Sequence, residues 1–191
     1  MAKVEIFTLE PAKGMKSKVV GLFLWQLDDL SRNLTEDTRG MTPEELEWQP
    51  GPGMNTIGML LAHIALVEAA WIGAAARGLE FAKVDVVPIR WPDSGIPLAP
   101  DAAPPVALGG KDLAFYDDLL ARAHAFTREV LAPLSEADLD QRRVRIRRDG
   151  TQVDYNVGWA LYHALEHMAG HYGQVNLLRH QFRAARIAAR A

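Results

Sequence analysis

The chain contains no cysteine among its 191 residues. Disulfides, thiolate metal ligands and a cysteine nucleophile are thereby excluded. Any sulfur chemistry must use a thiol carried in by a small molecule. Long apolar runs are scarce near the start, where residues 19–25 form the longest, with Asp28 and Asp29 close behind. That run falls well short of the roughly 20 residues that cross a bilayer. No secretory succession of basic, apolar and small residues is visible either, so the expectation is a cytoplasmic protein with no membrane partner. Charge of one sign is lacking as well. Lys and Arg number 21 against 24 Asp and Glu, a net −3 that gives no global attraction to nucleic acid. The length suits a single domain over 1–191 that buries a core without staples.

What the chain does have is helical periodicity. Met15, Val19, Phe23, Leu27, Leu30 and Leu34 recur at gaps of three and four, predicting a first long helix. Thr42-Pro43-Glu44-Glu45 reads as the start of a short helix, with a capping hydroxyl, a proline at the first position and two acids. Gln49-Pro50-Gly51-Pro52-Gly53 breaks it. Asn55 or Thr56 then caps a second long helix that runs to about Arg77 and stops at Gly78. Residues 79–110 hold six prolines and no period. A connection so long either crosses one end of a bundle or lies over a site as a lid. The third long helix is expected over 111–131, before Pro133. Alternation around Asp149-Gly150 predicts a β-hairpin over 143–155. Asn156 caps a last helix reaching about Phe182, ahead of a frayed Arg/Ala tail over 183–191. Four long helices and one hairpin make an all-α four-helix bundle.

The histidines carry the chemistry. His167 and His171 are four apart on the last helix, so both rings stand on one face, one turn above the other. His63 lies among Met59, Leu60, Ile64 and Val67 on the second helix. Uncharged imidazoles in an apolar surface are costly unless their nitrogens find partners. A shared ion would satisfy all three and leave a coordination position open for a water or a substrate. A second pattern overlaps the first: His163-Ala-Leu-Glu166-His167 spells an inverted zincin motif, in which His163 and His167 bind the metal and Glu166 is the base. His124 and His180 read as solvated or helix-end residues, and Glu68 and Glu166 each as part of a solvated face or as a base or supporting residue beside the site. Gln174, one turn beyond His171, reads either as an orienting residue or as a helix-end polar group.

Two segments together resemble the DinB family of metal-binding four-helix bundles, which includes bacterial low-molecular-weight-thiol transferases. The first is Leu46-Glu-Trp48-Gln-Pro50-Gly-Pro-Gly53 leading into Asn55-Thr-Ile-Gly-Met-Leu-Leu-Ala-His63, and the second is His167-Met-Ala-Gly-His171-Tyr-Gly-Gln174. The resemblance implies an up-down-down-up bundle with a long crossover between the second and third helices. It also implies that His63, His167 and His171 hold a divalent metal, with His163 outside the set. The Arg-rich hairpin and the proline-rich crossover depart from the family pattern, so the substrate does not carry over.

Three imidazoles leave an ion's 2+ charge uncompensated, which activates a bound water or thiol and suits hydrolysis or thiol transfer. Imidazole ligation accommodates zinc, nickel, copper or iron. Three functions stay open: a metal-dependent transferase or hydrolase using a low-molecular-weight thiol or water, an inverted-zincin peptidase, and a non-catalytic bundle with a structural metal. The expected partners are a small-molecule substrate and a second copy in a homodimer. Five arginines within 142–148 (Arg142, Arg143, Arg145, Arg147 and Arg148) form either a clamp for carboxylate or phosphate, or a solvated face with Val144 and Ile146 packed beneath. Trp91 is the tryptophan best placed to line a pocket.

Overall fold

The structure, a computed structural model, describes residues 7–96, 98–147 and 149–190, with Ala82 by its backbone alone. Pro97 of the crossover, Arg148 of the arginine cluster and the last residue of the expected tail lie outside the described residues. Six α-helices and one hairpin follow in order: α1 Lys18–Thr38, α2 Pro43–Glu47, α3 Ile57–Arg77, α4 Trp91–Ser94, α5 Leu113–Leu131, β1 Arg142–Ile146, β2 Gln152–Asn156 and α6 Val157–Ala188. The molecule is thus mostly helical with one small antiparallel sheet.

Helix starts are set by side-chain caps. Ser17, Thr42, Thr56, Asp112 and Asn156 each accept from a backbone N–H three residues on, satisfying a donor that the first turn leaves free. α3 stops where Gly78 turns left-handed, at φ 65°. The expected stripe on α1 is shifted: Val20, Leu24, Leu27 and Leu34 are buried, whereas Val19 is exposed.

α3 is the axis of the fold. It packs on α5 and α6, and its remaining side is covered by the crossover. Val84, Val86, Val87, Ile89 and Trp91 of the crossover lie on the same core as Met59, Leu60 and Ile64. Hence 18 of the 21 residues of α3 are buried, although the helix is long and apolar enough to cross a membrane. Its apolarity is that of an interior element. α1 packs on α5 and α6 and completes the set of long helices.

The crossover is anchored at the Pro-Gly turn. Gly53 N donates to Ala102 O at 3.2 Å, and Gln49 Nε2 donates to Ala102 O at 3.2 Å and to Met54 O at 2.9 Å. Gly53 sits at φ 72°, where a Cβ would collide with the carbonyl of Pro100, so only glycine fits. The connection over 79–110, expected as a crossover or a lid, contains α4 and two single 3₁₀ turns, Phe81–Lys83 and Val106–Leu108.

α6 also differs from expectation. It continues to Ala188, six residues beyond Phe182, so most of the supposed frayed tail is helical. Phe182 meets Trp48 edge-on at 5.8 Å, and Arg186 pairs with Glu44 of α2. These contacts, on a segment rich in strong helix formers, hold the added turns.

Candidate metal centre

His63 lies in the second turn of α3, and the Thr56 cap decides where that turn falls. His167 and His171 are one turn apart on α6, which packs directly against α3. The His63 ring centroid is 4.9 Å from that of His167 and 5.1 Å from that of His171, and those two are 4.3 Å apart. One nitrogen from each ring lies within 4.8 Å of the other two. Nitrogens sharing a tetrahedral zinc sit about 3.3 Å apart. The Nε2 atoms of His167 and His171 are 3.1 Å apart, close to that span. Among the described residues these three form the sole group of His, Asp or Glu side chains close enough to share an ion.

The electrostatics suit a cation. Burial pushes the His63 imidazolium down to about 4, with His171 adding to the effect. Burial likewise takes His167 to about 3, helped by His171, His63 and His163. Both rings are therefore neutral at pH 7 and keep a lone pair for ligation. His63 Nδ1 is buried with no hydrogen-bond partner. Such an orphan costs about 1–3 kcal/mol, which ligation of this ring by a metal could offset. Gln174 accepts from His171 Nδ1 at 2.7 Å, which leaves the lone pair on Nε2, the atom facing His167. Two rings kept neutral by burial and a third oriented by Gln174 fit a divalent ion.

The other histidines go elsewhere. His163 stacks on Trp159 at 4.9 Å and meets Trp71 edge-on at 4.8 Å. Glu166 is exposed and lies 3.5 Å from His163 Nδ1, outside the three-ring group. Of the inverted-zincin residues, His167 joins the three-ring group, while His163 and Glu166 are drawn into an aromatic box and the solvent face. His180 is exposed, as expected.

Two expectations are overturned. Glu68 is not on a solvated face but only 4% exposed. His124 is not a solvated residue: its Nδ1 meets Glu68 at 3.2 Å and its Nε2 meets Asp28 at 2.6 Å. Burial alone would lower the His124 pKa, but Glu68 and Asp28 overcome it and raise it to about 9. His124 is an imidazolium bridging α1, α3 and α5. Glu68, the one acid in a 21-residue helix of mostly apolar residues, was the one available signal for this network.

A cleft of about 1060 Å³ opens beside the centre, between the crossover and the hairpin. Trp91 and Phe81 line it, and the Trp91 ring is edge-on to His63 at 6.3 Å. The hairpin presents an unexpected face to it. Val144 and Ile146 do not pack underneath but are 58% and 61% exposed, while Arg143 and Arg145 turn inward. Tyr155 and Val153 pair with those two arginines and are the inward residues of β2. Because side chains alternate along a strand, burying Tyr155 turns the arginines in as well.

Comparison with known proteins agrees with this picture. A conserved protein of Enterococcus faecalis of known structure is similar over 84% of this chain and 95% of its own, with a TM-score of 0.60 and 18% identity. That likeness concerns the fold. A search of curated proteins finds no match to the chain. The profile described as mycothiol-S-transferase matches residues 23–184. The chain belongs to the mycothiol-S-transferase family, one of the DinB-like families.

Proposed function

We propose that this protein is a metal-dependent thiol transferase, in which His63, His167 and His171 hold a divalent cation and a small-molecule thiol is joined to a small-molecule electrophile. The observation that carries the reading is the meeting of three rings from α3 and α6, two of them kept neutral by burial. Membership of the family supports the thiol. The absence of cysteine requires that the sulfur arrive on a separate molecule. Imidazole donors accommodate zinc, nickel or iron. When bound, such a cation keeps its full charge against uncharged ligands and holds a neighbouring thiol as thiolate at neutral pH.

The chain's own residues do the rest. Gln174 holds the His171 ring in one tautomer and one orientation. Trp91 forms an apolar wall beside His63, and the cleft beyond gives room for the electrophile. The bundle belongs to the same reading. Gly58 against Tyr116 at one end and Arg77 with Glu129 at the other support α3 and α5 running in one direction. Val20 near the start of α1 shares a cluster with Val157 and Leu161 at the start of α6, while Asp37 at the end of α1 reaches Tyr172 further along, which supports the same for α1 and α6; Lys16 with Ala132 supports α1 opposing α5. Those pairings favour an up-down-down-up course.

The test is conjugation of a fluorogenic electrophile by N-acetylcysteine with zinc-loaded protein. His63→Ala and His171→Ala should each lose both the ion and the rate, while His180→Ala, an exposed residue, keeps both. Variants that lose zinc yet conjugate at the full rate would refute the proposal.

A further inference from the structure

Two arginines of β1, Arg143 and Arg145, are half-buried on the cleft side of the hairpin. Arg142, on the outer face, is paired with Asp154 at 2.7 Å. Arg143, Arg145 and Arg147 line the cleft, and among the described residues none of them makes an ion pair. Arg143 donates to Arg142 O at 3.0 Å and to Gln141 Oε1 at 3.1 Å, but its Nε is buried with no partner. The Arg145 guanidinium lies over the Phe81 ring at 3.8 Å and 5.4 Å from the Trp71 ring. Two acids also face the cleft and both are engaged: Glu80 pairs with Lys83 at 2.7 Å, and Asp149 accepts from Thr151 N at 2.9 Å. Arg147 is exposed at the rim of the cleft, with Asp149 near enough to feel its charge. The buried Nε of Arg143 is costly without a partner, and a planar oxyanion matches the forked donors of a guanidinium.

The cleft adds a second half to this recognition. Phe81 and Trp91 stack face to face at 5.2 Å and form an aromatic wall beneath Arg145. Trp91 belongs to this wall and also touches His63 edge-on, so it is shared by the cleft and the three-histidine centre.

We propose that the cleft takes a small molecule bearing an oxyanion, carboxylate or phosphate, on a flat apolar body. Arg143 and Arg147 engage the oxyanion, and Phe81, Trp91 and the guanidinium of Arg145 receive the body. Resting on the thiol-transfer reading, that molecule is the electrophile, held with its reactive end toward the Trp91 side of the cleft. The hairpin is then the specificity element, and its reversed alternation is what places the charges.

Titration calorimetry of the full-length protein with naphthoate, naphthyl phosphate and neutral naphthamide tests this. At least one anion should bind about tenfold or more tightly than the amide, as expected for charge-assisted bonds to arginine. The double variant Arg143→Gln/Arg147→Gln should lose that preference while keeping its metal content and melting temperature. Arg145 is left in place because it packs on Phe81. The preference should survive in His171→Ala, which separates the anion site from the transfer reading: it stands there even if no thiol is transferred. Equal binding of all three probes by the unmodified protein would overturn the proposal. So would a preference kept by the arginine variant and lost with His171, since the anion would then be binding at the histidines.

Discussion

At the scale of single residues, the most consequential side chain outside the three-ring cluster is His124. Held by Glu68 and Asp28, its pKa is raised from 6.5 to about 9, so the charged form is the one the fold favours. A group raised in this way contributes its full stability below the unfolded value of 6.5. It loses that contribution as pH rises through about 9. The loss should be on the order of 3 kcal/mol. Urea unfolding between pH 6 and 10 should therefore show an alkaline decline that His124→Gln removes. An identical decline in the variant would place its origin elsewhere. Gln174 makes a different prediction. Gln174→Ala should weaken zinc binding roughly 10–100-fold, because an outer partner fixes the His171 tautomer. Unfolding of the metal-free variant should match the unmodified protein, since Gln174 is exposed. Chelator competition measures the first quantity and urea the second.

At the scale of elements, α6 carries an apparent flaw that serves as a probe. Gly170 and Gly173 sit within the helix, and a Cβ at either would meet nothing within 4 Å. Gly170→Ala should stabilise the protein by about 0.5–1 kcal/mol through the unfolded chain. An unchanged or lower melting temperature would show that this bare face is needed. Elements of this kind show how far sequence alone reaches. The caps at Thr42, Thr56 and Asn156 and the stop at Gly78 were legible because each acts over three or four residues. His167 and His171 were legible for the same reason, and His63 through its apolar neighbours. The inward turn of Arg143 and Arg145 was not, because it depends on Tyr155 finding Trp71 and on the Phe81 ring, a partner from the crossover. Pairing of His124 with Glu68 spans 56 positions, and beyond the lone acid in α3 no local pattern announces it. The tail over 183–188 was read as frayed although its residues favour helix, because the contacts that hold it, Phe182 with Trp48 and Arg186 with Glu44, reach a distant segment.

At the scale of the whole molecule, the fold is a set of long helices around a buried α3, closed on one side by a crossover that also walls the site. Fold and site share their supports: Thr56 starts α3 and sets the height of His63, and the clasp at Gly53 fixes the crossover that carries Trp91. Saturating zinc should consequently stabilise the protein by mass action, by about 4 kcal/mol when free metal is a thousandfold above its dissociation constant. Chelator should reverse the shift in thermal unfolding, and a melting temperature indifferent to zinc would argue against a site formed by the folded state. The most direct test of the central claim is metal stoichiometry after equilibrium dialysis against zinc. The account predicts one ion per chain, with binding lost in His63→Ala and in His171→Ala although both variants remain folded. Stoichiometric zinc retained by His63→Ala would contradict it, because the ion would then be held without the ring that α3 brings to α6.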